Sequence, residues 1–125
     1  MKTWIAVGFG GALGSMARHG VSVVVHRVFG DPVPYATATV NIVGCFAIGA
    51  LAGLLSANVV RLGETGRLLV FVGIIGGFTT FSSLGLDTLT LSRTGSVLTA
   101  VLNVLTQTAC GLGAVFVGYW LFKQP

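Results

Sequence analysis

The sequence predicts an all-α integral membrane protein of four transmembrane helices, and three observations support this prediction. Of the 125 residues, 54% are hydrophobic and only 8% are charged, whereas a soluble domain carries about 25% charged residues. Four stretches are each long and apolar enough to cross a bilayer, which takes about 20 residues. The short connections between them hold most of the charge. These stretches use almost the whole chain, which predicts one transmembrane domain, residues 1–125, and no soluble catalytic domain.

The first predicted helix spans about residues 4–25 and contains several glycines, among them Gly10 and Gly14. A removable signal peptide is the alternative interpretation of this stretch. Glycines interrupt its apolar segment, however, and no clean small-residue cleavage site follows. Arg18 lies inside the stretch, and an arginine within a membrane helix is expensive. The residue therefore either marks a functional site or extends its charge to the membrane interface.

The second predicted helix, residues 35–60, carries an amide deep inside the apolar stretch. This amide belongs to Asn41, and Thr37 lies one turn earlier on the same helix face. In a membrane, such a polar pair either holds helices together through hydrogen bonds or lines a pore. The sequence leaves both interpretations open.

The third predicted helix, residues 68–91, contains the run GGFTTFSS at residues 76–83. Paired glycines followed by hydroxyl residues weaken a helix, and lipid offers no partner for loose N–H or C=O groups. A broken backbone at this depth is tolerated where it is buried in protein or lines a wet cavity. The run therefore predicts a helix break near the centre of the third helix and a functional site beside it.

The fourth predicted helix, residues 97–122, carries polar residues at helical spacing. Asn103, Thr106, Gln107 and Cys110 follow positions i, i+3, i+4 and i+7, which predicts one polar stripe on an apolar helix. The alternative is a seam of hydrogen bonds between helices. Two amides and a hydroxyl on one face favour the interpretation that this face lines a path for a polar solute.

The net charge of +4 does not indicate nucleic-acid binding, because the basic residues are scattered at helix ends and form no stripe. Their distribution bears instead on orientation in the lipid bilayer. The imbalance between the two sides is weak, which suits a chain that inserts in both orientations. The side of both termini and the second loop carries four basic residues and the other side two: Lys2, Arg61, Arg67 and Lys123 against Arg27 and Arg93.

The groups inside the predicted helices are mainly uncharged hydrogen-bond donors and acceptors. A proton-coupled exporter of organic cations is the alternative function, but it needs a carboxylate near the middle of the membrane. Asp87 lies toward the end of the third helix, and the first helix contains no acidic residue. Amide N–H groups, hydroxyls and Arg18 suit a small anion, to which Phe81 can present the positive edge of its ring.

Three motifs, in order along the chain, resemble those of the Fluc/CrcB fluoride channels. The first helix carries GGALGSMAR at residues 10–18, similar to the family's GGxxGxxxR. The second carries PYAT at residues 34–37 and VNIVGCF at residues 40–46, similar to PxGT and VNxxGxF. The third carries GIIGGFTTFS at residues 73–82, similar to GxxGGxTTFS. The resemblance covers the whole length of the chain.

The resemblance implies a multi-pass channel in the plasma membrane, the inner membrane of a bacterium, that exports cytoplasmic fluoride passively. It implies an antiparallel dual-topology homodimer with two pores and a structural Na⁺ at the dimer interface. Carbonyls of Gly76 and Thr79 match the Na⁺ ligands. The positions that match the family's pore residues are Asn41, Phe81, Arg18, Asn103 and Gln107. The hydroxyls of Thr37 and Ser82 are two further groups that can replace water around fluoride.

One departure from the family pattern lies at residue 84. The family has a second pore phenylalanine there, and this chain has Leu84, which removes one aromatic edge from the expected anion path. Two interpretations remain open: a self-sufficient homodimer, or a non-conducting partner subunit of a heterodimeric channel.

Overall fold

A computed structural model describes residues 1–30 and 34–123 of the chain. These residues form helices and connecting turns and contain no β-strand, which confirms the all-α prediction. The elements in chain order are α1 (Lys2–Phe29), α2 (Tyr35–Ser56), α3 (Glu64–Arg67), a π-helical segment (Leu68–Ile75), α4 (Gly76–Phe78), α5 (Phe81–Thr94) and α6 (Val97–Phe122).

Three segments are long and apolar enough to cross a membrane, namely Tyr35–Ser56, Glu64–Thr94 and Val97–Phe122. The predicted fourth segment, α1, is a helix of 28 residues. At a rise of 1.5 Å per residue it is about 42 Å long, which exceeds the hydrocarbon thickness of a bilayer. Its glycines and its basic residues dilute the apolar content, and α1 is not among the three candidate spans in the described part of the chain.

Helix α2 ends at Ser56, four residues before the expected end at residue 60. Two residues beyond the helix, Asn58 has a left-handed φ of 57°. The N–H groups of Val59 and Val60 then donate to the carbonyl of Leu54 at 3.0 and 3.3 Å. These bonds satisfy a carbonyl that the end of the helix leaves open, as αL termination of a helix commonly does.

The third span is interrupted at two threonines. Thr79 has φ −82° and ψ 160°, and Thr80 has φ −153° and ψ 117°, both extended. The glycine pair before them stays helical within α4, so the break lies after the glycines and not at them. Thr80 caps α5, because its Oγ1 accepts from the Ser83 N–H at 3.2 Å. Upstream of α4, the segment Leu68–Ile75 is π-helical, which the sequence pattern did not predict.

The glycines of α1 allow it to pack closely against the π-helical segment and α4. A methyl group built on Gly10 lies 3.0 Å from Gly73 Cα, and one built on Gly14 runs into the carbonyl oxygen of Ile74. On the other side, a methyl group on Gly77 lies 2.7 Å from the carbonyl oxygen of an α1 residue. Glycine at these positions therefore brings two backbones together, as in other membrane helix pairs.

Helices α2 and α6 form the second close pair. A methyl group on Gly53 lies 2.6 Å from the carbonyl oxygen of Tyr119, and one on Gly118 lies 2.8 Å from the Ala50 nitrogen. Large side chains are rarely enclosed, and Val40 is 1% exposed. Most large apolar side chains lie on the outside of the helix bundle, where lipid or another protein surface accommodates them at no hydrophobic cost.

Candidate functional site

Asn41 of α2 binds the broken backbone of the third span. The Thr80 N–H donates to Asn41 Oδ1 at 2.8 Å, and Asn41 Nδ2 donates to the Thr80 carbonyl at 3.1 Å. Thr80 is 8% exposed. In an apolar environment, an unpaired amide or carbonyl group is costly. The side-chain amide replaces the helical hydrogen bonds that the extended residue loses, so Asn41 acts as a clamp on the break.

The clamp continues into a chain of side-chain hydrogen bonds. Asn41 Nδ2 also donates to Gln107 Oε1 at 3.2 Å, and Gln107 Nε2 donates to Asn103 Oδ1 at 2.9 Å. Asn103 Nδ2 donates to Thr88 Oγ1 at 3.0 Å, and this hydroxyl donates to the Leu84 carbonyl at 2.7 Å. We call Asn41, Gln107, Asn103 and Thr88 the amide chain. It links the break, through Asn41 of α2, to α6 and then to α5.

The direction of the amide chain is set at Thr80. A backbone N–H only donates and a backbone carbonyl only accepts, so the Asn41 side chain has one orientation that satisfies both. Its Nδ2 then meets an oxygen of Gln107, which leaves the Gln107 nitrogen to meet an oxygen of Asn103. Each amide in turn fixes the orientation of the next, and reversal of any one of them brings two donors together.

The polar stripe predicted on α6 is correct for two of its four members. Asn103 and Gln107 are buried, at 8% and 5% exposure. Thr106 and Cys110 lie on the exposed face, so the prediction was wrong for them. The buried face continues instead to Gly111, because the residues facing α2 and α5 follow i, i+4 and i+8.

A cavity of about 230 Å³ lies beside the break. The Phe81 ring borders it, and Phe81 is 85% exposed on the surface of the helix bundle. We call this space the break cavity. Its lining combines the clamp, the broken backbone and apolar side chains: Asn41, Gly44, Cys45, Ile48, Ile75, Thr79, Thr80 and Phe81.

A second cavity, of about 190 Å³, is lined by Thr37 and by polar groups of α1 and α5. We call it the mouth cavity. Thr37 and Asn41 lie four residues apart on α2, a rise of about 6 Å, so the two cavities border successive turns of one helix. The mouth cavity is lined by Ser22, His26, Pro34, Ala36, Thr37, Ser83, Leu86 and Asp87.

Two predicted site residues are less closely connected to the amide chain. Ser82 is exposed, and its Oγ lies 3.2 Å from Thr80 Oγ1. Arg18 is half-buried on α1, where its carbonyl accepts from Ser22 Oγ at 3.0 Å. No described hydrogen bond joins the Arg18 guanidinium to the amide chain.

The backbone carbonyls of Gly76 and Thr79 lose their helical partners at the break. In a continuous helix, the carbonyl of Gly76 would accept from the Thr80 N–H, which here donates to Asn41. The carbonyl of Thr79 would accept from the Ser83 N–H, which here donates to the Thr80 hydroxyl. Both carbonyl oxygens thus lose the donor that a continuous α-helix would supply.

Sequence reasoning missed Thr80 and Thr88. Thr80 has a local signal, because a hydroxyl residue at the start of a helix commonly accepts a hydrogen bond from the backbone N–H three residues later, here that of Ser83. Thr88 has no such signal. Its contact with Asn103 depends on how α5 packs against α6, and neither helix alone reveals that contact.

Comparison with known proteins agrees with the motifs. The family model described as CrcB-like protein, Camphor Resistance (CrcB), matches residues 5–119. A protein of Allorhizobium ampelinum named fluoride-specific ion channel FluC is 40% identical over 126 residues, covering 98% of this chain and 100% of the relative. Proteins of the same name from Hyphomonas neptunium and Methylobacillus flagellatus are 37% and 44% identical, covering 99% and 94% of this chain and 98% and 92% of the relatives. The chain therefore belongs to the CrcB family.

Proposed function

We propose that this chain is a fluoride-selective channel that lets cytoplasmic fluoride leave the cell passively, down its electrochemical gradient. The observation that carries the proposal is the amide chain, in which Asn103 and Gln107 are buried and Asn41 and Thr88 half-buried within an otherwise apolar bundle. Small anions give up water only where fixed donors replace it. The names of the curated relatives support fluoride as the ion and transport, not catalysis, as the activity.

The ion path runs from the mouth cavity to the break cavity along α2. Thr37 and Ser83 supply hydroxyls in the mouth cavity, and the Phe81 ring borders the break cavity. Asn41 lies between them, but both of its N–H groups are occupied by the Thr80 carbonyl and by Gln107. Its role is therefore to hold the break. Gln107 and Asn103 each keep one N–H that no described group of the protein accepts, and we assign these two N–H groups to the ion.

The working unit is an antiparallel homodimer with two pores, and α1 serves as its fourth membrane span. The exposed Phe81 ring and the exposed Gly76 support this assembly, because both leave the break open on the outside of the protomer. The weak bias of basic residues supports insertion in both orientations. Bacterial relatives and three apolar spans support a multi-pass location in the inner membrane.

A sodium ion fits between two such breaks. A hard cation takes oxygen ligands, and the carbonyls of Gly76 and Thr79 have lost their helical donors to Asn41 and Thr80. Two protomers would supply two pairs of these oxygens. When bound, the ion supplies a positive charge that holds the two breaks together and favours an anion nearby.

Fluoride efflux from liposomes that contain this chain alone tests the proposal. We expect rapid efflux at a fluoride electrode and retention of chloride, while protein-free liposomes release neither. Efflux of neither ion would overturn the self-sufficient channel and favour a subunit that needs a different partner.

Leu84 is buried, at 7% exposure, so its side chain serves packing in this protomer.

Replacement of Phe81 by alanine should reduce fluoride efflux about tenfold or more, because an anion then loses the ring edge beside the break. The ring is 85% exposed, so the protomer should fold normally. Phe116→Ala is the matched control, since this ring on α6 is also exposed, at 63%. Equal efflux rates for the two variants would remove Phe81 from the ion path.

Replacement of Gly76 by valine should separate folding from assembly. The nearest atom to a methyl group at Gly76 is the Phe71 carbonyl oxygen at 3.5 Å, an ordinary contact. The protomer therefore has room for the Cβ atom of valine, whereas we expect a crossing backbone at the dimer centre to clash with the side chain. We expect dissociation to monomers by light scattering in detergent, and a normal dimer for Gly85→Val, whose position is open. A dimeric, conducting Gly76→Val protein would contradict this interface.

A further inference from the structure

We propose that Thr88 is a positioning residue for ion selectivity: it fixes the Asn103 amide so that a rigid N–H faces the conducted anion. This inference rests on the proposed function and adds to it a residue that does not itself touch the ion. The hydrogen bond from Asn103 Nδ2 to Thr88 Oγ1, at 3.0 Å, carries it.

The Thr88 hydroxyl can play only one part in the amide chain. Its single proton is donated to the Leu84 carbonyl at 2.7 Å, so its oxygen meets Asn103 as an acceptor. A hydroxyl whose proton is committed in this way accepts one hydrogen of the Asn103 amide and directs that side chain. Thr88 is thus the acceptor at one end of the amide chain, and the Thr80 backbone fixes the other end.

The donors of the three amides differ in availability. Asn41 uses both hydrogens of its Nδ2, on Thr80 and on Gln107. Gln107 and Asn103 each use one hydrogen within the chain, and a primary amide has two. The second hydrogen of each therefore has no described acceptor within the protein, and its direction depends on the bonds that hold the amide plane.

Asn103 is held at two points. Gln107 Nε2 donates to its oxygen, and its nitrogen donates to Thr88. The χ2 torsion of asparagine has a broad range of allowed values. If only the contact with Gln107 remains, the amide plane can therefore rotate. A donor held rigidly discriminates by size, whereas a swinging donor adapts to a larger anion. Removal of the Thr88 hydroxyl should therefore weaken discrimination against chloride as well as slow fluoride.

The same helix offers a matched control. Thr90 Oγ1 donates to the Leu86 carbonyl at 3.0 Å, four residues back, as Thr88 donates to Leu84. Thr90 has no described hydrogen bond to a side-chain amide. The change Thr90→Val therefore removes the same kind of backbone contact from α5 without touching the amide chain.

The first test compares fluoride and chloride efflux from liposomes. We expect Thr88→Val to reduce the fluoride rate about tenfold, as the loss of one positioning hydrogen bond predicts, and to raise the chloride rate relative to fluoride. Thr88→Ser, which keeps the hydroxyl, should restore both, and Thr90→Val should behave as wild type. Unchanged selectivity in Thr88→Val, or no rescue by Thr88→Ser, would overturn the inference.

A double-mutant cycle tests whether Thr88 acts through Asn103. Thr88→Val should add nothing to the efflux defect of Asn103→Leu, and the two changes should also be non-additive in the thermal unfolding midpoint. Additive effects in both readouts would overturn the inference. Absence of conduction in wild type and in Thr90→Val would instead overturn the proposed function, while the unfolding cycle still reports whether the two side chains are coupled.

Discussion

Replacement of Asn41 by leucine should abolish fluoride efflux and destabilise the protein by about 2–6 kcal/mol. The change leaves the N–H and the carbonyl of Thr80 without their partners, and each buried unpaired group costs about 1–3 kcal/mol. It also removes the donor to Gln107, so the direction of the amide chain is no longer fixed. Efflux from liposomes and the thermal unfolding midpoint in detergent measure the two effects.

Thr39→Val is the matched control for Asn41→Leu, because it also replaces a polar residue on α2. The Thr39 hydroxyl donates to the Tyr35 carbonyl at 2.8 Å, within its own helix. We expect its loss to change neither efflux nor the unfolding midpoint appreciably. Wild-type efflux and stability in Asn41→Leu would mean that the break does not depend on its clamp.

The second large effect is expected from Gly14→Ala. The added methyl group runs into the Ile74 carbonyl oxygen and lies 2.8 Å from the Phe78 nitrogen, both backbone atoms that no rotamer change can move. Helix α1 must shift away from the break, and overpacking of this kind costs about 1–3 kcal/mol. Because α4 leads directly into the break, the same shift should reduce fluoride efflux.

Gly20→Ala provides the comparison on the same helix, since a methyl group there has nothing within 4 Å. Alanine is the better helix former, so this variant should be at least as stable as wild type. The unfolding midpoints and efflux rates of the two alanine variants are the measurement. If Gly14→Ala matched Gly20→Ala in both, close packing of α1 against the third span would not be needed for the break.

The membrane class was predictable from the sequence because it depends on composition and segment length. Three of the four expected spans are apolar enough in the structure. Helix α1 differs because glycines that allow close packing also lower its apolar content. A residue that serves helix contact therefore weakens the signal that composition provides for a membrane span.

The break was predictable in place but not in detail. The sequence placed it within the run of residues 76–83, and the structure has it at Thr79 and Thr80. Gly77 stays helical and packs closely against α1, while Asn41 supplies the partners that allow Thr80 to be extended. Both causes are contacts with other helices, which local propensity does not contain.

The candidate site was predictable where a residue type alone is unusual for a membrane helix. Side-chain amides within an apolar stretch are such a signal, and Asn41, Asn103 and Gln107 share one chain of hydrogen bonds. Thr106 was wrongly assigned to the same face because helical spacing tolerates either i+3 or i+4. Packing against the neighbouring helices determines which of these two positions is buried. The same packing brings Thr88 of α5 into contact with Asn103.

The reversal potential of a planar bilayer that contains this chain alone, with fluoride on one side and chloride on the other, tests the central claim most directly. A passive fluoride channel should bring the potential close to the value expected for fluoride permeability alone, without any proton gradient. A potential near zero, equal for the two anions, would contradict fluoride selectivity, and the absence of current would contradict conduction by this chain on its own.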